Sequence, residues 1–364
     1  MVSSKSRSLY KKILLLFAFS FSLLSHQTVF ATPQEDGWEE IFPGGETLCA
    51  RGEPFAFFVN RGTSPNVMVD FIGGGACWDA NTCSEEGATF VDSVDMIRNM
   101  YKQGLKGVYD RKNTQNPMRD WTHIVIPYCT GDIHWGENDK VYTKADGESF
   151  TIHHRGATNA KAVFEWVKRE VLAPKKLLMT GCSAGSYGSI YWTPHYRKHY
   201  PNAVISQMGD SGAGIITQKF LQQSFDNWQA ERNAPQWVPG LNPNKIDWHK
   251  MTLNDYYKAV GSFYPGVQLG QFSYLEDENQ IFFHEIMGGE PEEWSPIMQK
   301  SLLDLSTSLS NFKYYLAEGE EHCVLPYDRF YSESSGAAGS FKDWYKNHAN
   351  QKGVIPFPRP DEQK

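Results

Sequence analysis

From residue 38 to residue 348 the chain alternates short apolar runs with stretches of helical period. VMVDFI at 67–72, HIVIPY at 123–128, KKLLMT at 175–180, AVISQM at 203–208, VQLGQFSYL at 267–275 and NFKYYLAE at 311–318 read as strands. Between them, residues 157–172 place Ala160, Val163, Phe164, Val167 and Val171 on one face of a helix. Strands alternating with helices predict the α/β class, a mostly parallel sheet covered on both faces. Residues 215–260 read as an irregular, partly helical insertion, and insertions between the strands of such a sheet form its substrate pocket. No repeat or long low-complexity linker divides the chain, so residues 32–349 are expected to form a single domain. The Pro-rich, charged residues 350–364 read as a loose tail.

The first 31 residues depart from this alternation. Lys5, Arg7, Lys11 and Lys12 precede an apolar run at 13–24, ILLLFAFSFSLL, and Val29-Phe30-Ala31 has the look of a cleavage site. That is the layout of a secretory signal peptide. The apolar run falls short of the roughly 20 residues that span a bilayer. No later run is apolar enough to span either. The expectation is an exported chain, periplasmic or extracellular, without stable membrane association.

Composition narrows the partners. Of 364 residues, 40% are apolar and 21% charged, a globular balance. Basic residues number 35 against 42 acidic, for a net charge of −7. Losing the four leader cations leaves 31 basic residues and a net of −11. Such a surface disfavours nucleic acid and repels a densely anionic polymer, but not a neutral or esterified substrate. Aromatics make up 14%, which suits an aromatic-lined cleft or a thick aromatic core. All six cysteines, Cys49, Cys77, Cys83, Cys129, Cys182 and Cys323, follow the leader. An even count in an exported chain implies disulfides, with Cys77 and Cys83 close enough for a local bridge. No paired CxxC or Cys/His spacing suggests a metal, and no cofactor is expected.

The chemistry centres on Gly181-Cys182-Ser183-Ala184-Gly185, a G-x-S-x-G between a strand and a helix-compatible stretch. Strand, sharp turn and helix are the setting of a nucleophile elbow, with Ser183 as nucleophile and the Ala184 N–H aimed at an oxyanion. Cys182 reads as a small buried residue beneath that elbow. A rival, Gly209-Asp210-Ser211-Gly212, has the form of a trypsin-like nucleophile loop, but chain order and fold class oppose it. The glycine run after the 67–72 strand, Gly73-Gly74-Gly75, is where such a fold places its second oxyanion donor, and Gly74 and Gly75 are the candidates. In the order serine, acid, histidine, the base is His322, beyond the last strand. His348 reads as a surface residue of a polar terminal helix, and His284 lies too near the acid. The acid is expected at the end of the previous strand: Asp277, with Glu276 and Glu278 as rivals and Asp210 one strand earlier.

These stretches resemble the pectin acetylesterase/Notum family of serine carboxylesterases. The resemblance runs through FIGGGACWD (71–79), IPYCTGD (126–132), HRGATNAKAVFEWV (154–167), LLMTGCSAGSYG (177–188), GDSGAG (209–214), LEDENQI (275–281) and GEEHC (319–323). It implies an α/β-hydrolase fold, no metal and hydrolysis of carboxylic esters. It carries the nucleophile onto Ser183, the histidine onto His322 and the oxyanion glycines onto Gly74 and Gly75. It carries the acid onto Asp277, with Gln280 and Ile281 completing its pattern. The chain departs from plant members at Ala76, where they have Trp, and lacks the bulky aromatics of the animal branch, which removes a long fatty acyl group from a protein. The expected function is therefore an exported serine carboxylesterase acting on short acyl esters, most sharply acetyl groups on a polysaccharide such as pectin. The alternatives are a broad short-chain carboxylesterase or lipase-like hydrolase, and a non-catalytic ligand-binding member of the fold. Intact Ser, Asp and His oppose the last, and the lack of CxxC opposes a thiol–disulfide protein.

Overall fold

A computed structural model of the chain describes residues 32–33 and 37–352. The signal-peptide reading of residues 1–31, and the tail reading from residue 353 onward, lie outside the described residues.

The described strands that form the central sheet are β1 (Thr32–Pro33), β2 (Trp38–Ile41), β3 (Phe57–Asn60), β4 (Asn66–Phe71), β5 (Thr122–Ile126), β6 (Lys176–Cys182), β7 (Val204–Asp210), β8 (Gln268–Tyr274) and β9 (Phe312–Ala317). Their order is β1-β2-β3-β5-β4-β6-β7-β8-β9. The first three are antiparallel to their neighbours, and from β5 to β9 every pairing is parallel. The six apolar runs picked from the sequence are β4 to β9, within two residues at each end. A parallel strand covered on both faces must be apolar throughout, because alternate side chains enter opposite layers. In β4, Val67, Val69 and Phe71 face one core while Met68 faces the other. In β6, Leu177 and Met179 are parted from Leu178 in the same way. Each such side chain, fully buried, contributes roughly 1.5–3 kcal/mol.

The helices that matter for the site are α1 (Asp95–Gln103), α2 (Gly156–Glu170), α3 (Ala184–His199), α4 (Gln218–Trp228), α5 (Leu253–Phe263), α6 (Glu278–Ile286), α7 (Pro291–Ser308) and α8 (Phe341–Ala349). The larger core lies under α2, α3, α4, α5 and α7, and the smaller under α1 and α8. The predicted insertion at 215–260 contains α4, two short 3-10 turns and most of α5. Thr252 starts α5 with a capping box, its hydroxyl accepting from the Asp255 N–H while the Asp255 carboxylate accepts from the Thr252 N–H. Among the described residues no helix is long and apolar enough to cross a membrane.

Three disulfides close the fold, Cys49–Cys129, Cys77–Cys83 and Cys182–Cys323. The local Cys77–Cys83 bridge is as expected. The reading of Cys182 as a small buried residue is corrected: it is half-buried and bonded to the residue after His322. The surface reading of His348 is also corrected. Its side chain is fully buried, stacks on Trp344 at 5.1 Å and holds the Gln207 carbonyl at 2.8 Å. Gln351, just past α8, donates its amide to the Ile205 carbonyl at 2.8 Å.

Candidate active site

Ser183 follows β6 and stands at the N-cap position of α3 with φ +56° and ψ −124°, a conformation that residues other than glycine rarely hold. The turn closes because its glycines have no Cβ. A Cβ on Gly185 would collide with the Phe71 carbonyl, and one on Gly181 with the carbonyls of Phe71 and Gly185. Opposite them, a Cβ on Gly73 would come within 2.7 Å of the Ser183 Cβ. The Ser183 N–H is fixed on the Asp210 carbonyl at 2.7 Å. Ala184 opens α3, where the first backbone N–H groups have no partner within the helix.

Gly74 and Gly75 stand beside this elbow. Val91 N–H donates to Gly74 O at 2.8 Å and Ala76 N–H to Thr89 O at 3.3 Å, so Gly75 sits between the two bonds of a bridge to Phe90. A residue so placed points its own N–H away from that partner strand. Gly75 has φ +74°, and a Cβ there would strike the Thr89 carbonyl. Sequence reasoning overlooked the residue that holds the root of this loop. His134 donates Nε2–H to the Ile72 carbonyl at 2.8 Å. It lies in a turn where Gly131, Ile133 and His134 all have positive φ. The buried Asp132 fastens that turn, accepting from Thr130 Oγ at 2.7 Å, His134 N–H at 3.2 Å and Gly156 N–H at 2.7 Å. Burial pushes the Asp132 carboxyl up to about 6 and the His134 imidazole down to about 4, so the imidazole is neutral at pH 7. The available signal was the stretch ending in Gly131-Asp132, quoted above only for its resemblance.

Asp277 follows β8 and is the N-cap of α6, accepting from the Gln280 N–H at 3.0 Å. Aspartate is favoured there because its short carboxylate satisfies a free helix-end donor. The rest of that carboxylate faces His322, with Nδ1 at 2.9 and 3.0 Å from its two oxygens. Gln280 Nε2 holds Asp277 Oδ2 at 2.9 Å, and Gln280 Oε1 accepts from the Ala213 N–H at 2.9 Å. Asp277 is fully buried, whereas Glu276 and Glu278 are exposed. With Nδ1 donating to the carboxylate, Nε2 of His322 is left as an acceptor. His284 lies apart, with Nδ1 on the Ile215 carbonyl at 3.3 Å.

Ser183 and His322 border two cavities that meet between them. The inner one, about 60 Å³, also touches Gly75 and Ala184 and is lined by Ile133, Ile216, Phe220, Phe283, Met287 and Trp294. The outer one, about 660 Å³, runs past Gly73, Gly74 and Gly75 to Met96, Met100, Lys106 and Tyr327. Ser183, Asp277, His322, Gly74, Gly75 and Ala184 are thus gathered around one junction. Asp210, the runner-up acid, is buried one strand away and bonded to backbone N–H groups. Ser211 is buried too, its hydroxyl accepting from the Cys323 N–H. Among the described residues two groupings come within metal-ligand reach, Cys77/Cys83/His154 and Cys182/His322/Cys323, but in both the cysteines are joined as disulfides and offer no thiolate.

Comparison with known proteins places this geometry in context. Residues 44–250 match the family model described as Pectinacetylesterase. The chain is 25% identical to pectin acetylesterase 11 of Arabidopsis thaliana over 171 residues, covering 45% of this chain and 42% of that protein. It is 25% identical to pectin acetylesterase 4 of the same plant over 228 residues, covering 57% of this chain and 53% of that one. The chain therefore spans about half the length of the curated relatives it matches. Among solved structures, the Wnt deacylase Notum from Drosophila shares the α/β fold, with a TM-score of 0.62, 17% identity, and coverage of 92% of this chain and 97% of that chain.

Proposed function

Because the chain belongs to the pectinacetylesterase family, we propose that it is an exported serine carboxylesterase that removes short acyl groups, acetyl foremost, from a polysaccharide. The observation that carries this reading is the His322 Nδ1–Asp277 pair at 2.9 Å facing the cavity that the strained Ser183 also borders. In the reaction, Ser183 Oγ attacks the ester carbonyl carbon and its proton passes to His322 Nε2. Asp277 holds the imidazole in the accepting tautomer and stabilises the imidazolium. The oxyanion is met by the backbone N–H groups of Ala184 and of the Gly74–Gly75 loop, each such donor being worth about 3 kcal/mol. The imidazolium returns the proton to the departing alcohol. A water, deprotonated by His322, then releases the acyl group from Ser183.

The two cavities divide the substrate. The inner one takes the acyl group, and its volume corresponds to about four to six waters. An acetyl group fills only part of it. Its apolar lining of Ile133, Ile216, Phe220 and Trp294 favours a second reading, an esterase that also accepts acyl chains a few carbons longer. The outer, open cavity takes the bulky alcohol. Three disulfides suit an oxidising, extracytoplasmic setting.

The test compares wild type with Ser183→Ala on p-nitrophenyl acetate, butyrate, hexanoate and octanoate, and on acetylated pectin and xylan. The expected outcome is a loss of kcat of roughly 10³-fold or more in the variant, wild-type rates that fall beyond hexanoate, and acetate release from at least one polymer. Hydrolysis surviving Ser183→Ala overturns the nucleophile. Activity on the small esters with none on either polymer leaves the broader esterase.

A further inference from the structure

Asp210 belongs to neither role assigned above, yet it touches both halves of the site. It ends β7 and is fully buried. Its main-chain carbonyl accepts the Ser183 N–H at 2.7 Å, and so holds the elbow. Its carboxylate turns to the loop that carries His322. Oδ2 accepts from the N–H groups of Val324 and Leu325, both at 2.9 Å, while Oδ1 has no hydrogen-bond partner among the described residues. The next residue, Ser211, has φ +51°, and its hydroxyl accepts from the Cys323 N–H at 2.9 Å. On the other side of the loop Arg329 donates from Nη2 to the His322 carbonyl at 2.7 Å and from Nε to the Cys323 carbonyl at 2.9 Å. Cys323 itself has φ +59° and is bonded to Cys182, the neighbour of Ser183.

Three consecutive N–H groups and two consecutive carbonyls of 322–325 are therefore held by side chains from elsewhere. A segment with positive φ at Cys323 does not keep that shape unaided, because the conformation is sparsely populated for a non-glycine residue. We propose that Asp210, with Ser211 and Arg329, is a positioning residue that fixes the His322 loop against the Ser183 elbow, so that the imidazole stands within proton-transfer reach of Ser183 Oγ. The proposal rests on the reading of Ser183, His322 and Asp277 as the catalytic groups. Asp277 sets the tautomer and rotation of the ring, and Asp210 sets where the ring's backbone stands.

The test is Asp210→Asn, which keeps the shape. The substitution keeps an oxygen for the Val324 and Leu325 N–H groups but puts an amide NH2, with no partner among the described residues, at the Oδ1 position. Ser211→Ala and Arg329→Met remove the other holds without touching the reacting atoms. The full-length secreted protein is assayed on p-nitrophenyl acetate at neutral pH, with thermal unfolding followed in parallel and Ser183→Ala as reference. The expected result is a fall in kcat of roughly 10- to 100-fold for Asp210→Asn, the scale of a misplacement near 1 Å, with KM within about twofold of wild type. Ser211→Ala and Arg329→Met are expected to lower kcat in the same way but less. The double variant Asp210→Asn/Ser211→Ala is expected to fall short of the product of the singles, since both act through one loop. A folded Asp210→Asn protein with wild-type kcat overturns the inference while leaving the catalytic reading intact. So does a loss that lies in KM, or that follows only the thermal midpoint. If Asp210→Asn does not fold, wild-type kcat in both Ser211→Ala and Arg329→Met overturns it. Hydrolysis that survives Ser183→Ala removes the catalytic reading and this inference with it.

Discussion

A backbone conformation of the kind Ser183 adopts costs on the order of 1–3 kcal/mol and persists only where its surroundings over-determine it. Here the surroundings include three glycines and a hydrogen bond to the Ser183 N–H. Gly181 and Gly185 let the turn close against the Phe71 carbonyl, Gly73 lets the neighbouring loop reach the serine, and the Asp210 carbonyl fixes the Ser183 N–H. The same contacts predict what one methyl group would do. Gly185→Ala puts a Cβ into the Phe71 carbonyl oxygen, on a parallel strand paired on both sides that cannot move aside. Overpacking at such a place is expected to cost about 3 kcal/mol or more, and hydrolysis is expected to fall with it because the elbow must open to admit the methyl. Urea unfolding of Gly185→Ala beside wild type checks this, and an unchanged midpoint would show that the glycine is there for another reason.

Individual elements were readable from the sequence where burial writes a period into it. β4 to β9 are buried on both faces and mostly apolar and were found within two residues, and α2 showed its inward face at Ala160, Val163, Phe164 and Val167. The candidate nucleophile, acid and histidine were readable because each sits at the end of a strand. α8 was misjudged although the signal was present: Phe341, Trp344, Tyr345 and His348 share one face and are all buried, so the histidine belonged to the apolar stripe and not to the polar composition. What stayed hidden was contact between distant segments. Six cysteines allow 15 pairings, and no spacing discloses that Cys182 meets Cys323 across 141 residues. That bridge joins the element carrying Ser183 to the loop carrying His322, and its removal has a definite expectation. In the chain-entropy view a loop of this length is worth at most about 5 kcal/mol. The double variant Cys182→Ala/Cys323→Ala should therefore unfold at markedly lower urea. It should also lose kcat before it unfolds, because the loop then relies on Asp210, Ser211 and Arg329 alone. Activity and fluorescence followed together through a urea titration separate the two events. Coincident loss in the variant, as in wild type, would leave the bridge a purely global stabiliser.

At the scale of the whole molecule the buried ionisable groups decide how the fold responds to acid. Burial holds the imidazoles of His134, His195 and His348 down to about 4 and that of His154 to about 3, so all four are neutral in the folded protein near pH 5. In the unfolded chain they take up protons below about 6.5. Asp132 and Asp210 act in the opposite sense, since burial raises their carboxyls to about 6 and about 7 and the folded state keeps protons that the unfolded chain has released. Four histidines set against two aspartates leave the unfolded chain with about two more protons near pH 5 from these six groups, and His123, which burial also lowers, adds in the same sense. A state that binds more protons gains as pH falls, so folding stability should drop below about pH 7.5, by about 3 kcal/mol per unit around pH 5. The unfolded imidazoles finish losing their protons, and the buried Asp210 finishes ionising, by about pH 7.5, so above that the slope should vanish. Urea midpoints at half-unit steps from pH 4.5 to 8 measure this directly. His348→Gln, which removes one of the four groups but can keep a donor to the Gln207 carbonyl, should flatten the acid limb by about one proton. A midpoint that does not move between pH 4.5 and 6.5 would mean that these imidazoles are charged in the folded protein, and the neutral His134 that donates to the Ile72 carbonyl at the root of the glycine loop would have to be abandoned with them.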